Sequence, residues 1–156
     1  MKNIVMVCLC MVMGCSTKPK EENSTLRNDL IGEWRNIYLK VVMATVNNTP
    51  DLEKINEADS TNWEETLQIK PIRTFFKADS TYHSDYYNLK DSLVFSASGR
   101  WEVKDDTLVM NQTKPTSVTY RLKTKVHQNV AEFEGLLDFD EDGKTDDHYL
   151  GRQKKQ

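Results

Sequence analysis

The stretch with the most specific chemistry is Asp138-Phe139-Asp140-Glu141-Asp142-Gly143-Lys144-Thr145-Asp146-Asp147. Counted from Asp138, carboxylates fall at positions 1, 3, 5 and 9, and glycine falls at position 6. Oxygen ligands alternating along a chain that turns sharply are what a hard cation such as Ca²⁺ selects. Asp138, Asp140, Glu141, Asp142, Asp146 and Asp147 crowd like charges into one loop, and a cation among them would remove that repulsion. A solvated acidic Asp-Gly turn is the alternative that needs no ion.

Other reactive groups do not assemble into a pattern. His83, His127 and His148 are far apart and have no metal-ligand spacing, so surface strand or loop positions are expected. There is no Gly-x-Ser-x-Gly elbow and no phosphate-binding glycine loop. The remaining carboxylates sit at turns, where they make turn structure. The expectation is therefore a protein that is not an enzyme. Phe75, Phe76, Tyr82, Tyr86, Tyr87, Trp101 and Tyr120 are candidates to line an interior cavity for a small apolar ligand. The alternative is a core filled by its own side chains, as in many small barrels. An open cavity of several hundred Å³ would separate the two.

The elements that must position these groups read as strands. The chain has 156 residues, which suits one domain, and its apolar positions are rich in aromatic and β-branched residues. From residue 30 onward, short strands alternate with turn signals: 37–46, 73–77, 81–87, 92–95, 100–103, 107–111, 116–124, 130–137 and 148–153. Residues 97–99 read as a turn, residues 51–58 as one short helix after Thr49-Pro50, and residues 63–72 as ambiguous, with Pro71 confining any strand there to an edge or an end. Eight to ten short antiparallel strands predict an all-β barrel or sandwich. The acidic loop then joins the last two strands. Formal net charge is −3 with no basic stripe, so no nucleic-acid partner is expected.

All three cysteines, Cys8, Cys10 and Cys15, lie at the N-terminus. A domain without a cysteine pair must be held by burial, or by burial plus a metal. Met1-Lys2-Asn3 is a short basic start, residues 4–13 are an apolar run too short to span a bilayer, and Gly14-Cys15 follows. Gly14-Cys15 resembles the bacterial lipoprotein processing box. That resemblance implies a signal peptide over 1–14, a lipid on the Cys15 thiol, and an acyl chain of the palmitate class on its new amine. It makes the membrane a partner through the lipid anchor. Ser16 in place of aspartate implies outer-membrane sorting, and the periplasmic and cell-surface faces both stay open. Residues 15–29 read as a flexible tether, and 30–156 as the folded domain.

Two stretches resemble the lipocalin-like domains of bacterial lipoproteins: Gly32-Glu33-Trp34, and the hairpin Gly99-Arg100-Trp101-Glu102-Val103-Lys104-Asp105-Asp106-Thr107-Leu108. The resemblance implies a lipocalin-like β-barrel with about eight to ten strands. It also implies that Arg152 on the last strand stacks over Trp34 as a cation–π contact. The acidic loop is not an EF-hand, because position 12 is Tyr149 and the flanks read as strands. It resembles instead the Asp-x-Asp-x-Asp-Gly-x-x-Asp loops of integrin-type propeller blades. That resemblance implies a structural Ca²⁺ held by Asp138, Asp140, Asp142 and Asp146 and by the Lys144 carbonyl, with Asp147 in support. The expectation is thus a lipid-anchored envelope barrel that binds a small apolar ligand. The alternative is an accessory or interaction module with a filled core.

Overall fold

The computed structural model describes residues 22–46, Thr49 and residues 53–156. Residues 1–21, on which the expected signal peptide, Cys15 and the first part of the expected tether fall, lie outside the described residues. Two short helices and nine strands follow in the order α1 (Glu22–Leu30), β1 (Gly32–Met43), β2 (Lys54–Asp59), α2 (Trp63–Leu67), β3 (Arg73–Phe76), β4 (Thr81–Tyr87), β5 (Leu93–Lys104), β6 (Thr107–Lys114), β7 (Val118–His127), β8 (Val130–Leu137) and β9 (Asp147–Lys155). Every pairing is antiparallel. β3 to β9 form a meander, and β1 pairs both β3 and β9, closing an eight-strand barrel with β2 as an extra strand. The all-β barrel expected from the alternation is what the chain forms, with two short helices, neither of them at the place expected for one.

β1 is the strand on which the barrel closes. One edge pairs with β9 from Trp34 to Val42. The other edge is shared: Gly32 to Arg35 pair with β3, and Tyr38 to Met43 pair with β2. This explains why residues 54–59 are extended and not the helix expected over 51–58. The upper half of β1 would otherwise leave a row of backbone donors and acceptors unmatched, and that requirement overrides a weak local helix preference. Tyr38 Oη donates to Glu57 Oε1 at 2.8 Å, and Ala58 is buried against the barrel wall. Because β2 leaves the barrel surface, β1 and β3 part at this end. The segment through α2 and Ile69 to Ile72 fills the gap, held by Asn36 N–H to the Ile72 carbonyl (3.1 Å) and Lys70 N–H to the Tyr87 carbonyl (2.9 Å).

The opposite end is shut by α1. This helix takes in the end of the stretch read as tether, so the ordered domain begins before residue 30. Leu30 and Trp34 are fully buried, and Trp34 Nε1 donates to the Leu30 carbonyl at 2.6 Å. Arg27 lies 4.6 Å over the Trp101 ring and donates to the Ala78 carbonyl at 2.8 Å. The main core, which includes Trp34, Phe76, Tyr82, Trp101, Leu108 and Phe133, fills this half of the barrel. A smaller cluster of Leu39, Val41, Met43, Ala58 and Trp63 packs α2 against β1 and β2.

Two further expectations are corrected by register. Arg152 does not stack over Trp34. The β1–β9 pairing sets Arg152 opposite Tyr38, with its guanidinium 4.9 Å from that ring, and sets Lys155 opposite Trp34, with its ammonium 5.3 Å from the indole. Residues 97–99 are not a turn either, since β5 runs unbroken from Leu93 to Lys104. A glycine inside a strand marks close backbone approach as readily as it marks a bend. A β-carbon on Gly99 would fall 2.0 Å from the Asn111 carbonyl oxygen, at an irregularity in the β5–β6 register.

Candidate metal centre and cavity

The loop over 138–146 joins β8 to β9 and is folded around its own carboxylates. Asp138 Oδ2 accepts from Gly143 N–H (3.1 Å), Asp140 Oδ1 from Asp142 N–H (3.2 Å), and Asp142 Oδ1 from Lys144 N–H (2.9 Å). Asp147 Oδ2 accepts from Phe139 N–H at 2.6 Å and from Asp140 N–H at 3.3 Å. Gly143 has φ +90°, with nothing within 4 Å of the place a β-carbon would occupy. Glycine is needed there for its backbone conformation, not for space.

Asp138, Asp140 and Asp147 each bring one carboxylate oxygen to within 4.8 Å of the others. Asp138 is exposed, Asp140 half-buried and Asp147 wholly buried. Asp147 Oδ1 has no hydrogen-bond partner among the described residues. A buried carboxylate oxygen without a partner is costly, and a cation among the three removes both that cost and their mutual repulsion. Oxygens bound to one Ca²⁺ at about 2.3–2.6 Å lie no more than about 5 Å apart, so the observed spacing fits such an ion. The all-oxygen donor set suits a hard cation.

Of the expected ligands, the structure brings Asp138 and Asp140 together. Asp142 turns its other oxygen to the Thr45 hydroxyl at 3.3 Å, and Asp146 is not in the carboxylate group. Asp147 takes the third place. The reason is strand parity: β9 begins at Asp147, and alternation carries Asp147, Tyr149, Gly151 and Gln153 to the inward face. Counting back by twos from the end of the last strand would have found it.

The loop stands at the mouth of an interior cavity of about 430 Å³. Leu39, Phe76, Met110, Leu122 and Phe133 supply apolar wall, Leu67, Ile69 and Ile72 the wall of the parted seam, and Leu137, Asp138 and Phe139 the edge nearest the loop. A small polar patch lies within it. Gln153 Nε2 donates to Asn36 Oδ1 at 3.1 Å, the Thr74 and Ser84 hydroxyls are 3.0 Å apart, and the buried Gln153 Oε1 has no partner among the described residues. Burial pushes the phenols of Tyr86, Tyr120 and Tyr149 up, so all three enter the wall as neutral hydroxyls. Leu89, Leu93, Val94 and Phe95, on the β4–β5 connection and the start of β5, and Leu136 and Phe139, at the end of β8 and in the acidic loop, are large exposed apolar side chains.

Of the expected lining residues, Phe76, Tyr86 and Tyr120 face the cavity. Tyr82 and Trp101 are packed in the core at the helix-closed end. Phe75 is on the outer face, stacked 4.4 Å from the His83 ring, and Tyr87 lies under the Arg73 guanidinium at 5.0 Å. His83, His127 and His148 are on strand surfaces, and His148 Nε2 pairs with Glu134 Oε1 at 3.0 Å. Gly151 lies beneath Tyr149, and a β-carbon there would fall 2.1 Å from the phenol oxygen. Gly151→Ala is therefore expected to push the Tyr149 ring into the cavity and to cost about 1–3 kcal/mol in urea melts, as overpacking does.

Fold and site together define a small antiparallel β-barrel with an interior cavity and a three-carboxylate candidate cation site at its mouth. No protein-family model matches the chain, and no curated protein matches it in sequence.

Proposed function

We propose that this protein is a binding module of the lipocalin-like type, carrying a small, largely apolar ligand inside the barrel. The single observation that supports this most is the cavity of about 430 Å³ with apolar walls, where a barrel of this size is often filled by its own side chains. The unpartnered Gln153 Oε1 favours a ligand with one hydrogen-bond donor, a hydroxyl or an amide, buried among apolar surface. Binding without catalysis is the role that follows. The lipid on Cys15, the outer-membrane location and the membrane as partner rest on the N-terminal sequence alone. The acidic loop carries a divalent cation in this reading, with Ca²⁺ favoured by its oxygen donors.

Two measurements test it. Native mass spectrometry of the protein is expected to show a copurified apolar molecule. After its removal, the neutral fluorophore 1-aminoanthracene is expected to bind, and Met110→Trp, which fills the cavity from β6, should weaken that binding about tenfold or more. Absence of both copurified molecule and probe binding would leave the filled-core accessory module as the better reading. For the cation, Ca²⁺ at about 100 times its dissociation constant should add about 2.7 kcal/mol, a rise of about 5–10 °C in Tm over the protein in chelator. Asp147→Asn keeps an acceptor for the Phe139 N–H and should abolish that rise. An equal Tm in Ca²⁺ and chelator would remove the cation from this reading.

A further inference from the structure

We propose that the cation at Asp138, Asp140 and Asp147 controls ligand binding in the cavity, so that each tightens the other; this rests on the binding-module reading above. The two sites share a wall. Asp138 is both a member of the carboxylate group and part of the cavity edge, with Leu137 and Phe139 beside it in that edge. Asp147 opens β9, and Tyr149 and Gln153, on the same inward face two and six residues later, also line the cavity. The Phe139 backbone is tied to Asp147 Oδ2 at 2.6 Å, and on the far side of the loop Asp142 accepts from the hydroxyl of Thr45, just past the end of β1.

The physical link is direct. With no ion, three carboxylates whose oxygens lie within 4.8 Å repel, and one of them is wholly buried with an unpartnered oxygen. Repulsion is relieved most easily by moving the exposed member, Asp138. That movement carries Leu137 and Phe139 with it and unsettles the cavity edge. A cation draws the three carboxylates to one centre and fixes the edge in its binding-competent form. An ion that prefers the ordered edge, and a ligand that touches it, are coupled through one local equilibrium. Such coupling is reciprocal.

The test uses the full chain and 1-aminoanthracene. Probe affinity is measured in saturating Ca²⁺ and in chelator, and Ca²⁺ affinity by calorimetry with and without saturating probe. On the order of tenfold tighter probe binding in Ca²⁺ is expected, with the same factor on Ca²⁺ affinity when probe is present. If both bind but neither constant moves, the coupling is overturned while both sites stand. If the probe binds in neither buffer, the binding-module reading falls and takes the coupling with it. If no Ca²⁺ heat is seen, the cation reading falls and the coupling again goes with it. Asp138→Asn and Asp140→Asn each remove one charge at the cluster, and in each the ratio of probe affinities with and without Ca²⁺ should fall towards one. A ratio unchanged from wild type in the variants that fold would overturn the proposal.

Discussion

Trp34→Ala is expected to lower unfolding stability by about 3–5 kcal/mol, the usual cost of removing a large buried aromatic side chain. A domain of this kind has only about 5–15 kcal/mol in hand, so the variant should be largely unfolded in mild denaturant. Trp34 is wholly buried at the end that α1 closes, and its loss leaves three consequences. The core opens a hole, the Leu30 carbonyl loses its 2.6 Å donor, and the Lys155 ammonium loses the ring beneath it. Trp34→Phe should recover part of the loss by refilling volume, but not the hydrogen bond. Urea melts followed by far-ultraviolet circular dichroism decide the matter. A midpoint for Trp34→Ala equal to wild type would show that α1 and the barrel floor do not depend on this side chain.

Gly99→Ala is expected to cost about 3 kcal/mol or more, although it adds a single methyl group. The added carbon would lie 2.0 Å from the Asn111 oxygen and 2.8 Å from Gln112 Cα. Both are backbone atoms of β6, so no rotamer change relieves the overlap, and the β5–β6 pairing itself must shift. Gly143→Ala offers the contrast. Its β-carbon meets nothing, so only the left-handed backbone is penalised, by about 1–2 kcal/mol. Urea midpoints for the two variants should therefore differ clearly. Equal costs would mean that the hairpin yields without penalty.

Period-two alternation was legible wherever a strand keeps one face inward. The bounds read for residues 81–87 and 130–137 are those of β4 and β8. The acidic loop between two strands was legible from Asp-Gly turn chemistry. What was hidden depended on partners distant in sequence. Residues 54–59 are a strand because half of β1 lacks another neighbour, which local propensity cannot reveal. Gly99 read as a turn because a glycine looks alike whether a chain bends there or another backbone presses close. Lys155 and not Arg152 meets Trp34 because of the β1–β9 register, which also slips by one residue at a bulge near Ile37 and which no local pattern announces. Loop spacing gives Asp147 only a supporting place, because strand parity takes over where β9 begins. Phe75 was counted among the lining residues by its type, while its neighbours Thr74 and Phe76 hold the inward positions.

Closure of the barrel between β1 and β9 sets a condition on how the protein comes into being. Trp34 on β1 meets Lys155 on β9, the first and last strands of the barrel, so the seam cannot form until β9 has been made. The intervening hairpins can zip locally while synthesis is still under way, because each joins neighbours in sequence. The final step brings the first and last strands of the barrel together and waits for β9. Until then the edges of the outermost strands stay open to other chains, and this interval is when escort by a chaperone would matter most.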